Sequence, residues 1–190
     1  MPSRNSLAGY TLIELMATLV LFALLAGMAS ASWNTVIGLN RHRDMVNEVQ
    51  LMFAVARSYA TNHRGLTTLC PLSQAQKCVD DWTLPVGIFT DRDNDKRPDD
   101  GRIHRVFQPV SQNSSIASRT AGRGYFQLAS DGMSHGTLGS LIVCTPVPDA
   151  APHLTYIALN MGGRIRVLND TDGDGRIKLP WGPVLTCPAR

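Results

Sequence analysis

The stretch that decides the fold is GYTLIELMATLVLFALL, residues 9–25. From Leu15 to Ala29 the chain is almost wholly apolar. At about 1.5 Å per residue, a helix from Tyr10 to Trp33 would cross a hydrocarbon layer of about 30 Å. Arg4 is the one basic residue ahead of this run, whereas a secretory signal peptide carries several before a shorter apolar core. We therefore predict a membrane helix whose cleavage site lies before it.

One carboxylate, Glu14, interrupts the apolar run shortly after Gly9. A glycine, a carboxylate at this offset and an apolar helix resemble the prepilin signal of type IV pilins and type II secretion pseudopilins. The resemblance implies that prepilin peptidase cleaves after Gly9 and that Tyr10, where most of the family has Phe or Met, is N-methylated. An unpaired carboxylate in an apolar helix is costly, and in pilins its partner is the terminal ammonium of a neighbouring subunit. The alternative is a Glu14 that stays hydrated among the headgroups.

Length and composition limit the rest of the chain. The 190 residues, less a leader of nine and a helix of about 55, leave room for one globular domain. The net charge of +3, from 18 basic and 15 acidic residues, does not by itself call for nucleic acid or an anionic membrane. The 4 cysteines predict an oxidising compartment and two disulfides. Of the three connectivities we favour Cys70 with Cys78 and Cys144 with Cys187. The alternative is a zinc site, which no CxxC pair or nearby His supports.

The apolar positions beyond Trp33 have helical spacing, so the predicted helix continues in amphipathic form and ends near Arg64-Gly65, where the glycine takes the left-handed conformation. His42 and His63 are expected to be solvated surface residues. A polar loop at 67–81 follows, and 112–124 is predicted to be a mobile loop. The remaining runs predict an antiparallel β head with a hairpin turn at 160–163, and its strands are Val86–Thr90, Ile103–Val110, Tyr125–Leu128, Leu138–Cys144, Leu154–Leu159 and Arg164–Leu168.

Two head segments resemble the GspH/FimT family. The first is the series Cys70-Pro71, Cys78, Trp82 and a strand ending in Phe89-Thr90-Asp91, and the second is the run 126–144. The resemblance implies an α+β, pilin-like ladle in which a long N-terminal helix packs on an antiparallel sheet. Its parts would be a leader at 1–9, a transmembrane and fibre-core helix at 10–32, an amphipathic half at 33–65 and a β-rich head at 66–190.

An acidic loop suggests a cation. Asp170, Asp172 and Asp174, followed by Gly175, match the first half of an EF-hand-like calcium loop, but Trp181 stands where the closing Glu belongs. Asp91, Asp93 and Asp95 repeat the spacing with Lys96 in place of the glycine. Calcium is the one candidate cofactor, and solvated acidic turns are the alternative.

The motif Gly163-Arg164-Ile165-Arg166 has a different chemistry. Strand alternation would point Ile165 into the head and place Arg164 and Arg166 side by side outside. The motif matches the GRxR sequence through which the FimT branch is understood to bind DNA in natural transformation. The resemblance passes that role to the two arginines, and Lys178 and Arg190 would extend the patch. An ordinary solvated β face is the alternative, because the Asp170 loop follows and would repel phosphate within a Debye length of about 8 Å.

Catalysis finds little support. The neighbours Ser134 and His135 cannot form a nucleophile–base pair merely by adjacency, and no GxSxG is present. We predict that the chain is not an enzyme but a minor type IV pilin, with a type II secretion pseudopilin as the alternative. Its partners would be prepilin peptidase, other pilins and, as a hypothesis, duplex DNA. We expect a single pass through the inner membrane with the head in the periplasm, followed by assembly into a fibre.

Overall fold

The structure, a computed structural model, describes residues 10–108, 114–136, 138–148, 150–180 and 182–188, and for residues 28–35 it describes the backbone alone. The chain divides into two compact units, Met1–Ile37 and Gly38–Arg190. Gly9, Arg190 and part of the predicted 112–124 loop lie outside the described residues.

Helix α1, Leu12–His63, begins in the first unit. Thr11 caps its first turn, since the Glu14 N–H lies 3.4 Å from Thr11 Oγ1 and 3.2 Å from the Thr11 carbonyl oxygen. Every side chain from Tyr10 to Gly27 is exposed. In the described part of the chain, no helix is both long enough and apolar enough to cross a membrane. The membrane role of residues 10–32 stays a prediction.

In the second unit α1 buries one face. The residues of this face recur every three or four positions, the spacing of a helix stripe, and they are Met45, Val49, Met52, Phe53, Ala56 and Ala60. The helix ends at His63 as predicted, but the residue in the left-handed conformation is Arg64, with φ 49°, and not Gly65. The Gly65 N–H donates to the Ala60 carbonyl oxygen over 3.3 Å, which closes the last turn as a Schellman motif does.

Two four-stranded antiparallel sheets and a hairpin follow. The first sheet has the order β3-β2-β1-β5, the second has the order β4-β6-β7-β8, and β9 pairs with β10. The strands are β1 Thr67–Pro71, β2 Val86–Thr90, β3 Arg105–Phe107, β4 Ser115–Arg119, β5 Phe126–Leu128, β6 Gly139–Val147, β7 Ala150–Leu159, β8 Ile165–Asn169, β9 Arg176–Lys178 and β10 Val184–Thr186. This is the α+β fold predicted, with the second half of the helix on antiparallel sheets.

Two segments predicted to be loops are strands. Strand β1 lies in the predicted 67–81 loop. All five of its residues are buried, so its sequence lacks the polar–apolar alternation that indicates a half-buried strand. Strand β4 lies in the predicted 112–124 loop, where its serines favour a loop until β6 supplies the backbone partners. Both predictions were wrong because pairing partners distant in sequence decide the outcome.

The main core is contributed by α1 and by both four-stranded sheets. A second apolar cluster lies between the other face of the second sheet and the β9–β10 hairpin. The predicted disulfide pairing is present, with Cα atoms 5.5 Å apart for Cys70–Cys78 and 5.8 Å apart for Cys144–Cys187. The second disulfide joins β6 to the segment after β10 and so fixes the hairpin on the sheet.

His42 ties α1 to the second sheet. Contrary to expectation it is buried, with 6% of its surface exposed. Its Nδ1 lies 3.1 Å from Thr145 Oγ1 and its Nε2 lies 2.8 Å from Thr155 Oγ1. Because the Thr155 hydroxyl donates its proton to Asn169 Oδ1, 2.9 Å away, its oxygen accepts from a proton on Nε2. Burial lowers the pKa of His42, which favours a neutral ring with this one proton. Helical periodicity does not predict these hydrogen bonds, because both threonines are distant in sequence.

Candidate nucleic-acid interface

The turn between β7 and β8 sets the position of Arg164. The Gly163 N–H donates to the Asn160 carbonyl oxygen over 3.0 Å, and the Asn160 N–H donates to the Arg164 carbonyl oxygen over 2.9 Å. The Asn160 side-chain oxygen accepts from the Arg164 N–H, also over 2.9 Å. The hairpin predicted at 160–163 is confirmed, although Gly163 alone of its two glycines has a positive φ, 67°.

The glycine of the GRxR motif is required by packing. A Cβ atom on Gly163 would lie 1.8 Å from the Gly132 carbonyl oxygen, so no side chain fits there. The Ser134 N–H donates to the Met161 carbonyl oxygen over 3.0 Å, and Arg57 Nη1 donates to the Gly163 carbonyl oxygen over 3.5 Å. The turn at 129–135 and helix α1 therefore hold the hairpin in place. Sequence reasoning missed Arg57 and Gly132, and no local signal marks them.

Both motif arginines face solvent. Arg164 and Arg166 are exposed, whereas Ile165 and Val167 pack against the main core, as strand alternation predicts. Strand β8 is the last strand of the second sheet, paired with β7 on one side. The arrangement exposes two guanidinium groups, one just before β8 and one within it, and guanidinium groups are suited to phosphate oxygens.

Lys178 and Arg190 were predicted to extend the arginine patch, and the structure describes Lys178 alone of the two. Lys178 is exposed at the end of β9. With Arg176, which sequence reasoning missed, it lines a depression of about 250 Å³ that also includes Leu168 of β8 and the carboxylate of Asp172. The two β9 cations therefore share this depression with the Asp172 carboxylate, whose charge opposes theirs, and neither Arg164 nor Arg166 lines it. Arg190 lies outside the described residues.

The acidic loop is compact. The carboxylate oxygens of Asp170, Asp172 and Asp174 lie within 4.8 Å of one another. Burial raises the pKa of Asp170, but hydrogen bonds within the loop outweigh it and hold the pKa below its usual value. Two of these come from the N–H groups of Gly173 and Gly175, at 2.8 and 2.7 Å. The loop's own backbone therefore already engages Asp170, and calcium binding stays a prediction.

The second acidic loop is rearranged relative to the sequence pattern. The carboxylates that approach one another are Asp91, Asp93 and Asp99, with Asp99 in place of the expected Asp95. Asp91 is fully buried and accepts hydrogen bonds from Thr68 Oγ1 at 2.7 Å and Gln127 Nε2 at 3.1 Å. Asp91 therefore anchors the loop to the first sheet.

The assembly residues lie at the other end of the chain. Tyr10 is 87% exposed, and Glu14 is exposed in the first turn of α1. Thr11 and Glu14 also have the spacing of a capping box, in which the carboxylate stabilises the helix start. Glu14 thus has a local structural reason for its position beside the predicted pairing with a neighbour, which stays a prediction together with the roles of Gly9 and Tyr10.

Two family models match different parts of the chain. The family model described as "Type II transport protein GspH" matches residues 45–169, from the buried face of α1 to the end of β8. The chain belongs to the GspH family. A second model, the "Prokaryotic N-terminal methylation motif", matches residues 4–30, the region of Gly9 and Glu14. This GspH-family chain therefore carries both the predicted head and the predicted processing signal, which supports a pilin or pseudopilin.

Solved structures agree on the fold. Two crystal structures of the type IV minor pilin FimU from Pseudomonas aeruginosa strain PAO1 superpose on the chain. One gives a TM-score of 0.53 at 13% identity and covers 70% of this chain and 94% of that chain. The other gives 0.51 at 14% identity, with 68% and 97% covered. Among curated protein sequences none matches the chain.

Proposed function

We propose that this GspH-family chain is a minor type IV pilin, which enters a pilus at low copy through its N-terminal helix. The observation that carries the proposal is the likeness to the minor pilin FimU over 94% of that chain, found together with an N-terminal methylation motif. A fibre subunit needs such a head on a processed helix, and the exposed apolar side chains of residues 10–27 offer a surface for neighbouring helices.

A type II secretion pseudopilin is the second candidate, favoured by the description of the matching family as a type II transport protein. Deletion of the gene separates the two. The pilus proposal predicts loss of surface fibres with normal secretion of exported enzymes, measured by electron microscopy of sheared fractions and by activity in the medium. Intact fibres with lost secretion would leave the pseudopilin.

DNA binding through Arg164 and Arg166 is the finer part of the proposal. It is supported by the exposure of both side chains on a strand edge whose hairpin is fixed by Gly132 and Arg57. Contacts with phosphates carry no base information, so the binding is weak and without sequence preference.

The test uses the full chain in a non-ionic detergent and a short labelled duplex, with anisotropy measured over a range of salt. The double change Arg164→Ala with Arg166→Ala lowers the affinity and reduces the salt slope by about one unit per lost contact. Replacing Asp170 and Asp172 by Asn raises the affinity, since it removes repulsion. Binding that is insensitive to salt, or unchanged by loss of the arginine pair, would leave the hairpin as an ordinary strand connection.

A further inference from the structure

A basic groove lies where α1 ends. It has a volume of about 340 Å³ and is bordered by the end of the helix, the residues after β2 and the turn after β5. We call it the Arg64 groove, and its polar side chains are those of Arg64, Arg92, Asn94, Ser130 and His135. Among the described residues, its lining contains two guanidinium groups and an imidazole but no carboxylate, so the groove is suited to an anion.

The two arginines of the Arg64 groove have no side-chain partner among the residues that the structure describes. Across the described ranges, the side chains of Arg64 and Arg92 make no hydrogen bond or ion pair. The carboxylates on either side of Arg92 are engaged elsewhere: Asp91 accepts from Thr68, and Asp93 accepts from the Asp95 N–H over 3.4 Å. Asp99 accepts from the Arg92 N–H over 3.2 Å. Within the described residues, the donors of both guanidinium groups therefore remain available to a ligand in the groove.

Arg64 has an unfavourable backbone conformation. Its φ of 49° is a conformation that favours glycine, yet the adjacent glycine, Gly65, does not adopt it. An arginine in the left-handed position that ends a helix is a cost to the fold, and such costs concentrate at binding sites. The structure itself offers no compensating contact for the Arg64 side chain among the residues described, which points to a ligand outside the chain.

The groove adjoins the arginine hairpin. The turn at 129–135 lines the groove with Ser130 and His135, and it contacts the hairpin through Gly132 and Ser134. We propose that the Arg64 groove binds backbone phosphates of the same DNA duplex that Arg164 and Arg166 contact, so that one turn separates two anchor points. The inference rests on the proposed DNA binding, and it names Arg64, Arg92 and His135 as further phosphate contacts.

The experiment measures binding of a labelled duplex by the full chain in detergent at salt from about 0.05 to about 0.2 M. The double variant Arg64→Gln with Arg92→Gln lowers the salt slope by about 1.8, or 0.9 for each phosphate contact. The matched control, Arg102→Gln with Arg119→Gln, removes the same charge from two exposed arginines outside the groove and keeps the wild-type slope. If the Arg64→Gln, Arg92→Gln variant has the same salt slope as the control, the groove does not bind phosphate and the proposal is wrong.

Two further arms separate this inference from the proposed function. One outcome is that Arg164→Ala with Arg166→Ala leaves DNA binding intact while Arg64→Gln with Arg92→Gln weakens it. In that case the hairpin does not bind DNA, and the groove remains the phosphate site. Pyrophosphate, titrated into the same preparation with the His135 ring followed by NMR, tests the groove without DNA. A shift that the Arg64→Gln, Arg92→Gln variant abolishes supports a phosphate site, and no shift together with a control-like DNA slope refutes it.

A single change tests whether Arg64 serves binding and not the fold. Arg64→Gly removes the guanidinium and relieves the left-handed strain, so DNA binding weakens while the thermal midpoint stays the same or rises. A lower midpoint with unchanged binding would mean that Arg64 is kept for stability, and the proposal would fail.

Discussion

Acid should destabilise the head through one buried ring. Burial, and secondarily the nearby His153, lower the pKa of His42 from its ordinary value of 6.5 to about 4. The neutral ring satisfies both hydroxyl partners, whereas a second ring proton would place a positive charge in this buried site, near His153. Because the folded state resists this proton and the unfolded chain accepts it, stability falls as the pH drops through 6.5 and the loss is complete below about 4. These two pKa values predict a loss of about 2 kcal/mol between pH 8 and pH 5, and about 3 kcal/mol in all.

The assay is urea unfolding of a fragment that begins at Gly38, followed by circular dichroism at several pH values. The variant His42→Gln cannot gain the proton, so it is less stable than wild type at pH 8 but loses about 2 kcal/mol less on acidification. His104, whose pKa burial and His63 also lower, is present in both proteins and cancels in the difference. The control His135→Gln, an exposed ring, keeps the wild-type dependence. Parallel pH curves for wild type and His42→Gln would refute the reasoning.

Three other predictions concern the leader, the cysteines and the hairpin. Gly9→Val leaves the leader attached while insertion proceeds, because the peptidase must approach this backbone closely; processing to the short form on an immunoblot would contradict the prepilin signal. Non-reducing peptide mapping recovers no free thiol and no crossed pair, only the disulfides Cys70–Cys78 and Cys144–Cys187. Gly163→Ala lowers the unfolding free energy by about 2–4 kcal/mol, since its Cβ meets backbone atoms at a left-handed φ. The control Gly162→Ala, whose added Cβ has its nearest neighbour at 3.5 Å, is tolerated. Equal stabilities of the two variants would show that the hairpin can shift to accommodate the added atom.

The sequence predicted best the features with a local signal. Strand β2 begins and ends at the predicted residues, Val86 and Thr90, because an apolar run stands between turn residues. Helix α1 ends at His63, next to the predicted Arg64-Gly65, although Arg64 and not the glycine takes the left-handed conformation. The hairpin at 160–163 agrees with its predicted position. The disulfide pairing also agrees, although spacing alone left other connectivities open.

What the sequence did not predict depends on partners far along the chain. Strand β1 is buried because β2 and β5 flank it on both sides, and its five residues show no alternation. His42 looks like a polar residue of an amphipathic helix until Thr145 and Thr155, more than 100 residues away, supply its hydrogen bonds. The Arg64 groove is of the same kind, because three separate segments assemble it.

The most direct test of the central claim, that the chain is a fibre subunit, is the amount of Glu14→Gln variant in sheared fibre fractions. Glutamine keeps the spacing of the capping box with Thr11, so the helix start is preserved while the charge is lost. The account predicts a variant that is processed and inserted like wild type but absent from fibres, because the carboxylate no longer pairs with a neighbour's ammonium. Wild-type amounts of the variant in the fibres would contradict it.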